Sequence, residues 1–336
     1  MEEVEVKSLA TKVGRIGFGC SPLGEHGWGA SDRSAMAAAI HVALDSGINL
    51  FDISDVYGLG RAETTLGEAL VGKRSRAVIV SKFGVRVEEG RGTFYDTSAA
   101  WIRNALEASL RRLRTDFIDV YLMHYWDERT PLDLVFSTLE EARQAGKIRA
   151  YGFSNAHPNA MLENIPAELK PHMAAFTLQY NLLDRHFEGI IESVIRDHGL
   201  TFLSWGSLAE GLLTGKFASG LDLRADDRRH RYRNFVGQRF AENRHILGRI
   251  AALSSVLERP CASIALRWIL DGLPGSVALV GMKSSKNVVD ATGALGWSLS
   301  RSSTDELDAL TLHRRREWAD GMQFINPADA TSPLPR

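Results

Sequence analysis

Short apolar runs alternate with longer helical patterns along the chain, and this alternation constrains the fold more than any other feature of the sequence. Strands that alternate with helices indicate βα units and a parallel sheet. Most of the gaps hold amphipathic helices, which we predict at 31–46 (capped by Ser31 or Asp32), 98–113, 132–145 and 187–198. The runs lie at 16–20, 48–52, 77–82, 117–124, 148–154, 174–179, 201–205 and 277–281. Eight such units predict a closed (β/α)8 TIM barrel.

Polar residues recur where the runs end. The runs end at Cys20, Asp52, Lys82, His124, Ser154, Gln179, Trp205 and Gly281. In a (β/α)8 barrel the carboxyl ends of the strands form the face that binds ligands, whereas stability alone predicts no such bias. A doubly wound sheet also alternates strands and helices, but no complete G-x-G-x-x-G follows the first run. Segment 58–63 begins like that fingerprint and has Glu63 in place of the third glycine, so we interpret it as a loop and helix start.

Composition is typical of an ordinary globular protein. The 336 residues are 44% hydrophobic and 24% charged, and 40 basic against 41 acidic residues give a net charge of −1. This balance argues against a general attraction to nucleic acid or membranes. The two cysteines, Cys20 and Cys261, lack metal-ligand spacing, so we expect neither a disulfide framework nor a metal site. The acidic start of the chain and the lack of 18 uninterrupted apolar residues predict a cytoplasmic protein without a membrane span.

Three run ends and one loop offer an aspartate, a lysine, a histidine and a tyrosine. Asp52 ends the second run, Tyr57 follows five residues later, and Lys82 and His124 end the next two runs. Tyrosine, with an ordinary pKa of about 10, gives up its proton poorly, but a nearby ammonium stabilises the phenolate. We expect Lys82 to supply that charge, Asp52 to keep Lys82 charged, and His124 to orient a substrate carbonyl. In the alternative, Asp52 only caps a turn and Tyr57 is a packing residue.

In this order and on these runs, Asp52, Tyr57, Lys82 and His124 resemble the catalytic tetrad of the aldo-keto reductases. The resemblance covers nearly the whole chain. It implies an NADPH-dependent oxidoreductase that reduces an aldehyde or ketone to an alcohol, with hydride from nicotinamide C4 and the proton from Tyr57. Two alternatives stay open. The β subunits of voltage-gated potassium channels resemble this family and act largely as regulatory binding partners, and other β/α barrels act on sugar phosphates without nicotinamide.

The resemblance also implies positions that hold the nicotinamide end of NADPH or NADP+. Ser154 and Asn155 inherit hydrogen bonds to the carboxamide, and Gln179 inherits amide recognition. Trp205 stands where tyrosine is usual in the family, and an indole can still stack on a nicotinamide face. Further cofactor positions lie at the end of the first run and in segment 204–216, whose Gly-Leu-Leu-Thr-Gly-Lys ending matches the family. These are Gly19, Cys20, Gly206, Ser207, Leu208, Gly211 and Lys216.

The segment after the last run resembles the family's site for the adenosine 2′-phosphate. Backbone N–H groups at a helix start, with Lys283 beside them, favour a phosphate. The implied contacts are Gly281, Lys283, Ser285, Asn287 and Asp290, and Lys286 is an alternative to Lys283. The segment departs from the family at Asn287, where glutamine is common, and at Ala291, where asparagine often contacts adenine.

Aromatic residues near the tetrad are candidates for binding a small carbonyl or alcohol substrate. We predict Trp28, Tyr57, His124, Tyr125 and Trp126, with Phe94 or Tyr95 as further candidates. Aromatic side chains around a polar centre suit a sugar, a polyketide or an aromatic carbonyl equally. Simple packing is the alternative for Trp28 and Trp126. Arg86 is either a contact for an anionic substrate or a solvated loop arginine.

The last part of the chain contains a long connection at about 217–237, rich in arginine and aspartate. In related reductases a loop here covers the cofactor pyrophosphate. The basic run 228–233 could instead bind nucleic acid, but Asp222, Asp226 and Asp227 partly offset it, and we expect no nucleic-acid partner. A final helix is predicted from Arg301 to about Asp320, followed by a tail. We predict one barrel domain over 1–336 that includes this loop and the C-terminal helix and tail at about 301–336.

Overall fold

A closed barrel of parallel strands with helices around it forms the centre of the protein. The computed structural model describes residues 2–25, 32–217, 220–224 and 227–315. The strands, in chain order, are β1 (Glu3–Val6), β2 (Thr11–Gly14), β3 (Ile16–Gly19), β4 (Leu50–Asp52), β5 (Val78–Phe83), β6 (Val85–Glu88), β7 (Gly92–Tyr95), β8 (Ile118–Met123), β9 (Ile148–Ser154), β10 (Met173–Gln179), β11 (Thr201–Trp205) and β12 (Ser276–Gly281). The α-helices are α1 (Arg33–Asp45), α2 (Arg61–Ala69), α3 (Ala99–Leu113), α4 (Leu132–Gln144), α5 (Pro158–Asn164), α6 (Glu188–His198), α7 (Gly237–Leu257), α8 (Cys261–Gly272), α9 (Ser285–Thr292) and α10 (Arg301–Thr311).

The barrel contains β3, β4, β5, β8, β9, β10, β11 and β12 in this order, each parallel to the next. The last strand pairs with the first, with Ala278 opposite Ile16 and Gly281 opposite Gly19, so the sheet is closed. The predicted (β/α)8 TIM barrel is therefore confirmed. Each of the eight predicted runs is a barrel strand, with ends shifted by at most two residues.

Apolar residues fill the strands because both faces of the sheet are buried. Along β4 and β5, Leu50, Val78 and Val80 belong to the core inside the barrel. Phe51, which follows Leu50, and Ile79, which separates Val78 from Val80, belong to the larger core between the strands and the helices. Successive side chains of a strand point to opposite faces, so a strand covered on both sides is continuously apolar.

A hairpin of β1 and β2, which the sequence pattern did not predict, closes one end of the barrel. Val6, Leu9 and Val13 join the interior core. The hairpin is held at the amino ends of the strands, because Gly14 donates its N–H to Asn49 just before β4 and Arg149 near the start of β9 donates to the Leu9 carbonyl. At the opposite end of the barrel lie the polar residues that end the eight runs, and this end can form a ligand-binding site.

Two loops contain more regular structure than predicted. The segment after β5, predicted only as a loop, forms the antiparallel hairpin β6–β7. In the predicted structureless connection at 217–237, 3-10 turns cover Arg228–Arg231 and Arg233–Phe235, and Asn234 and Phe235 are buried. Their burial explains the turns, since buried backbone groups need hydrogen-bond partners.

The helix ends agree with the predicted signals, with one difference near the C-terminus. Asp32 caps α1 by accepting from the N–H groups of Ser34 and Ala35. Ser98 caps α3 by accepting from Trp101. Helix α10 ends at Thr311, followed by 3-10 turns to 315, instead of continuing to about residue 320. The predicted tail beyond 315 lies outside the described residues.

A substitution at Gly152 tests how closely β9 and β10 approach each other. A Cβ there would lie 1.9 Å from the backbone carbonyl oxygen of Ala175, so Gly152→Ala must displace backbone. We expect a loss of about 3 kcal/mol in the free energy of unfolding by urea. Gly189→Ala in α6 is the matched control, since a Cβ there meets nothing within 4 Å and should be neutral or stabilising by about 0.5–1 kcal/mol. Equal stability of wild type and Gly152→Ala would contradict the close approach.

Candidate active site

The four predicted catalytic residues meet at the carboxyl ends of neighbouring barrel strands. Asp52 is the last residue of β4, Lys82 is the fifth residue of β5, and His124 directly follows β8. Tyr57 lies in the loop after β4. Strands β4, β5 and β8 are adjacent in the barrel, so side chains that are far apart in sequence share one site.

Lys82 and Asp52 form a buried ion pair. The distance from Nζ of Lys82 to Oδ2 of Asp52 is 2.6 Å, and Nζ also donates to the Ile53 carbonyl at 2.9 Å. Their side chains are only 4% and 6% exposed. Burial raises the pKa of the Asp52 carboxyl, and the charge of Lys82 opposes this shift. Each charge is therefore stabilised mainly by the other.

Tyr57 lies beside both Lys82 and His124. Nζ of Lys82 is 5.4 Å from the centre of the phenol ring, and the imidazole of His124 meets that ring edge-on at 6.1 Å between centres. The loop is fixed next to Tyr57 by Gly58, whose φ is +59° and whose Cβ, if present, would lie 2.4 Å from the Gly24 carbonyl oxygen. A half-buried phenol close to both an ammonium and an imidazole is suited to proton transfer.

His124 is held as a neutral imidazole with one ring nitrogen engaged. Its backbone N–H donates to the Phe83 carbonyl at 2.8 Å, and its Nδ1 lies 3.1 Å from the hydroxyl of Ser54. Burial, and then the charge of Lys82, lower the pKa of His124 well below its ordinary value. A neutral imidazole whose Nδ1 bonds within the protein presents Nε2 to a ligand.

The predicted carboxamide-binding residues form a hydrogen-bonded group next to His124. Nδ2 of Asn155 donates to the Ser154 hydroxyl at 2.9 Å and to the His124 carbonyl at 3.3 Å. The indole N–H of Trp205 donates to Oδ1 of Asn155 at 2.8 Å. These three residues come from the ends of β9 and β11, and their contacts fix the orientation of the Asn155 amide.

The other predicted positions around the nicotinamide lie on the same face. The amide of Gln179, at the end of β10, donates to Asp184 at 3.4 Å and to Glu210 at 3.5 Å. The buried Ser207 hydroxyl donates to the Ser204 carbonyl at 2.7 Å. Gly206 and Gly211 have φ of +65° and +93°, on either side of Leu208 in one irregular turn.

Gly19 and Cys20 lie at the end of β3, between β12 and β4. Cys20 donates its backbone N–H to the Asp52 carbonyl at 2.8 Å. Its thiol is buried, and burial raises its pKa well above the ordinary value. Cys20 and Cys261 are both free thiols.

Three positive charges lie close together near the carboxyl ends of the barrel strands, which we call the barrel mouth. They belong to Lys216, Arg229 and Lys283. A Cβ on Gly211 would lie 3.5 Å from Nζ of Lys216 and 4.0 Å from Nη1 of Arg229. Burial and then the charge of Arg229 lower the pKa of both lysines. Asp227 opposes these shifts, but both of its oxygens already bond Arg229, at 2.8 and 2.6 Å. This basic cluster can hold an anion.

The start of α9 is organised by its own side chains. Ser284 caps the helix, and Oδ1 of Asn287 accepts from the Lys283 N–H at 3.1 Å and the Ser284 hydroxyl at 3.2 Å. Asp290 pairs with Lys286 at 2.6 Å. Asn287 and Asp290, predicted as cofactor contacts, thus have internal partners. Gly281 ends β12 and Ser285 begins α9, on either side of Lys283.

Aromatic rings extend from His124 along the predicted substrate side. His124 stacks on Tyr125 with 5.0 Å between ring centres, and Tyr125 stacks on Tyr95 at 4.8 Å. The indole N–H of Trp126 donates to the Thr130 carbonyl at 2.8 Å. Trp28 lies outside the described residues.

Arg86 lies in β6, is partly exposed and is already paired with carboxylates of the protein. It pairs with Asp96 at 2.6 Å and with Glu88, and its guanidinium lies over the rings of Phe94 and Trp101. These contacts hold the β6–β7 hairpin against α3.

Sequence reasoning did not select three residues that the structure brings to the site. Ser54 contacts the imidazole of His124, and Asp55 contacts Ser54. Because Ser54 and Asp55 lie between Asp52 and Tyr57 in the sequence, their position could have indicated that they belong to the site. Arg229 joins Lys216 and Lys283, although the sequence suggested only an undivided basic run. No helix among the described residues is long and apolar enough to cross a membrane.

Comparison with known proteins identifies the class. The sequence model of the Aldo/keto reductase family matches residues 15–312. The chain therefore belongs to the aldo/keto reductase family of oxidoreductases, and the predicted family is confirmed.

Individual relatives cover nearly the same length. The chain is 32% identical over 317 residues to the aldo-keto reductase YhdN of Bacillus subtilis (strain 168), spanning 93% of each protein. The solved structure of a glycerol dehydrogenase from Gluconobacter oxydans has a TM-score of 0.82 at 31% identity, covering 93% of this chain and 95% of that one. An aldo-keto reductase from Klebsiella pneumoniae in complex with NADPH has a TM-score of 0.73 at 27% identity, covering 93% and 95%.

Removing Lys82 should destabilise the protein, because Asp52 would remain buried without its partner. For Lys82→Met we expect the free energy of unfolding to fall by about 3 to 5 kcal/mol, with a milder loss for Asp52→Asn. Lys147→Met is the control, since Lys147 pairs with Glu107 on the surface and should contribute at most about 1 kcal/mol. A Lys82→Met variant as stable as Lys147→Met would show that the ion pair is dispensable. Urea unfolding measures all three.

Proposed function

We propose that this protein is an NADPH-dependent reductase of an aldehyde or ketone, with Tyr57 as the proton donor. The observation that carries the proposal is the buried Lys82–Asp52 pair, whose ammonium lies 5.4 Å from the ring centre of Tyr57. A buried cation at this distance favours the phenolate left after proton transfer. Membership of the aldo/keto reductase family supports the same reaction class.

The residues at the barrel mouth fit NADPH. The basic cluster of Lys216, Arg229 and Lys283 suits the phosphates, and Lys283, just before α9, is our assigned contact for the 2′-phosphate. At the other end, Ser154 and Asn155 would hold the carboxamide of a bound NADPH, and Trp205 would stack on its nicotinamide ring. NADPH, when bound, supplies the hydride that adds to the carbonyl carbon. The NADPH complex of the Klebsiella pneumoniae relative supports this choice of cofactor.

The protein's own groups carry the proton and orient the substrate. His124 donates from Nε2 to the carbonyl oxygen, and Tyr57 gives its proton to that oxygen as negative charge develops there. Lys82 stabilises the phenolate, and Asp52 keeps Lys82 charged. Oxidation of an alcohol uses the same residues in reverse, since one transition state serves both directions.

Two measurements test the proposal. Fluorescence titration with NADPH and NADH measures coenzyme binding, and a carbonyl panel measures turnover. Because one relative is a glycerol dehydrogenase, the panel should include glyceraldehyde and dihydroxyacetone, with glycerol for the reverse reaction. Tight NADPH binding without turnover of any carbonyl would favour the regulatory-subunit alternative. Failure to bind either coenzyme would favour a barrel that works without nicotinamide.

Tyr57→Phe removes the proposed acid and leaves the shape of the pocket nearly unchanged. Turnover should fall by about 10² to 10⁴, the usual contribution of general acid catalysis. NADPH affinity, measured by the same titration, should be retained. Turnover within a few-fold of wild type would exclude Tyr57 as the proton donor.

Lys283→Met tests the coenzyme preference. Only NADPH carries the 2′-phosphate, and a charge-assisted hydrogen bond is worth roughly 1.5 to 3 kcal/mol. The dissociation constant of NADPH should therefore rise by about one to two orders of magnitude in this variant. NADH binding should hardly change, and the preference for NADPH should weaken with salt. The matched control is Lys286→Met, since Lys286 is exposed and paired with Asp290. Equal losses for both coenzymes, or a larger effect at Lys286, would remove Lys283 from the 2′-phosphate site.

A further inference from the structure

A short chain of hydrogen bonds connects His124 to a second carboxyl group that the proposed reaction does not use. The Ser54 hydroxyl donates to Oδ1 of Asp55 at 3.0 Å and lies 3.1 Å from Nδ1 of His124. Ser54 is fully buried, and His124 is 8% exposed. A hydroxyl between two such groups can donate in only one direction at a time.

We propose that Asp55 is a positioning residue that determines, through Ser54, which ring nitrogen of His124 carries the proton. When Asp55 is ionised it can only accept, so Ser54 donates to Asp55 and accepts from Nδ1–H of His124. Nε2 then has no proton. When Asp55 is protonated it can donate to Ser54, which in turn donates to Nδ1, and the proton of His124 lies on Nε2.

The two forms of His124 recognise different ligands. Nε2–H donates a hydrogen bond to a carbonyl oxygen, as carbonyl reduction requires. A bare Nε2 repels a carbonyl oxygen and accepts a hydrogen bond from an alcohol. Protonation of Asp55 therefore favours carbonyl binding, and its ionisation favours alcohol binding. This consequence for catalysis rests on the proposed function, whereas the coupling between Asp55 and His124 does not.

The surroundings of Asp55 let it change charge near neutral pH. Burial, and then the charge of Glu63 in α2, raise the pKa of Asp55 to about 7. The Ser54 hydroxyl, Arg112 in α3 and the Val56 N–H act in the opposite direction. Tyr121 of β8 faces the same group, and the charge of Asp55 contributes to its raised pKa.

Glu63 is a fixed neighbour. It accepts from Arg112 and from the Ser81 hydroxyl, both at 2.7 Å. Its negative charge is thus held beside Asp55.

Asp55 also has a route to solvent. It lines a cleft of about 370 Å³ together with Arg86 and Glu88 of β6 and Arg112 of α3. The arginines are paired, Arg86 with Asp96 and Arg112 with Glu63. Protons can therefore reach Asp55 from solvent through this cleft.

Nitrogen NMR of the 15N-histidine-labelled protein tests the coupling directly, because protonated and bare ring nitrogens have different chemical shifts. The signals of His124 are identified by their loss in His124→Gln. We expect the proton on Nε2 at about pH 5.5 and on Nδ1 at about pH 8.5, on either side of the pKa of about 7 for Asp55. In Asp55→Asn, which cannot ionise, the tautomer ratio should no longer depend on pH.

A matched control lies in the same cleft. Glu88→Gln removes a carboxylate that does not contact Ser54 and should keep the wild-type transition. A His124 tautomer that is constant with pH in wild type, or a transition that persists in Asp55→Asn, would overturn the proposal. Since this measurement needs no turnover, its failure is distinguishable from a failure of the proposed reductase activity.

The pH dependence of kcat provides a second test of the coupling between Asp55 and His124. Carbonyl reduction by Asp55→Asn should lose the wild-type change in kcat near pH 7, and Ser54→Ala should remove the same change while lowering kcat by about tenfold. Ser54→Thr keeps a hydroxyl and should restore the pH dependence. An unaltered pH profile in both Asp55→Asn and Ser54→Ala would count against the coupling, because a purely structural role for Asp55 would shift stability but not this profile.

Discussion

Pairing between β12 and β3 is the contact on which the rest of the structure depends. It joins residues 276–281 to residues 16–19 and turns an open sheet into a barrel without edges. Closure buries a core inside the strands, and the hairpin β1–β2 fills the amino end of that core with Val6, Leu9 and Val13. One end of the barrel is thus occupied by apolar packing. The other end gathers the polar residues that follow each strand, so the fold itself decides where chemistry is possible.

Burial gives the site its electrostatic character. Lys82 and Asp52 are charged groups in a low-dielectric environment, where their interaction is stronger than in water and where neither is stable alone. The same environment, together with the charge of Lys82, keeps His124 neutral. A fixed cation and a neutral imidazole therefore both lie close to Tyr57. This asymmetry suits transfer of one proton to a carbonyl oxygen and the reverse reaction with an alcohol.

Charge at the barrel mouth is assembled from three distant segments. Lys216 follows β11, Arg229 belongs to the 3-10 turn after it, and Lys283 follows β12. Burial, and then repulsion from the charge of Arg229, lower the pKa of both lysines, and Asp227 opposes this repulsion only in part. An anion bound there would remove this repulsion. The arrangement favours a phosphorylated ligand, because the negative charge of the ligand offsets electrostatic repulsion that is already present in the protein.

The sequence by itself determined the barrel and the positions of the tetrad. Strand periodicity and apolar runs are local properties, and parallel strands bring their carboxyl ends to one face, so Asp52, Lys82 and His124 had to meet there. Only the tertiary structure decided the remaining contacts. The hairpin at the barrel floor, the approach of Arg229 to Lys216 and the path from Asp55 to His124 depend on side-chain directions in loops, which no periodicity encodes. Loop contacts are fixed by the packing of segments distant in sequence, and this is the physical reason that they appear only in the folded protein.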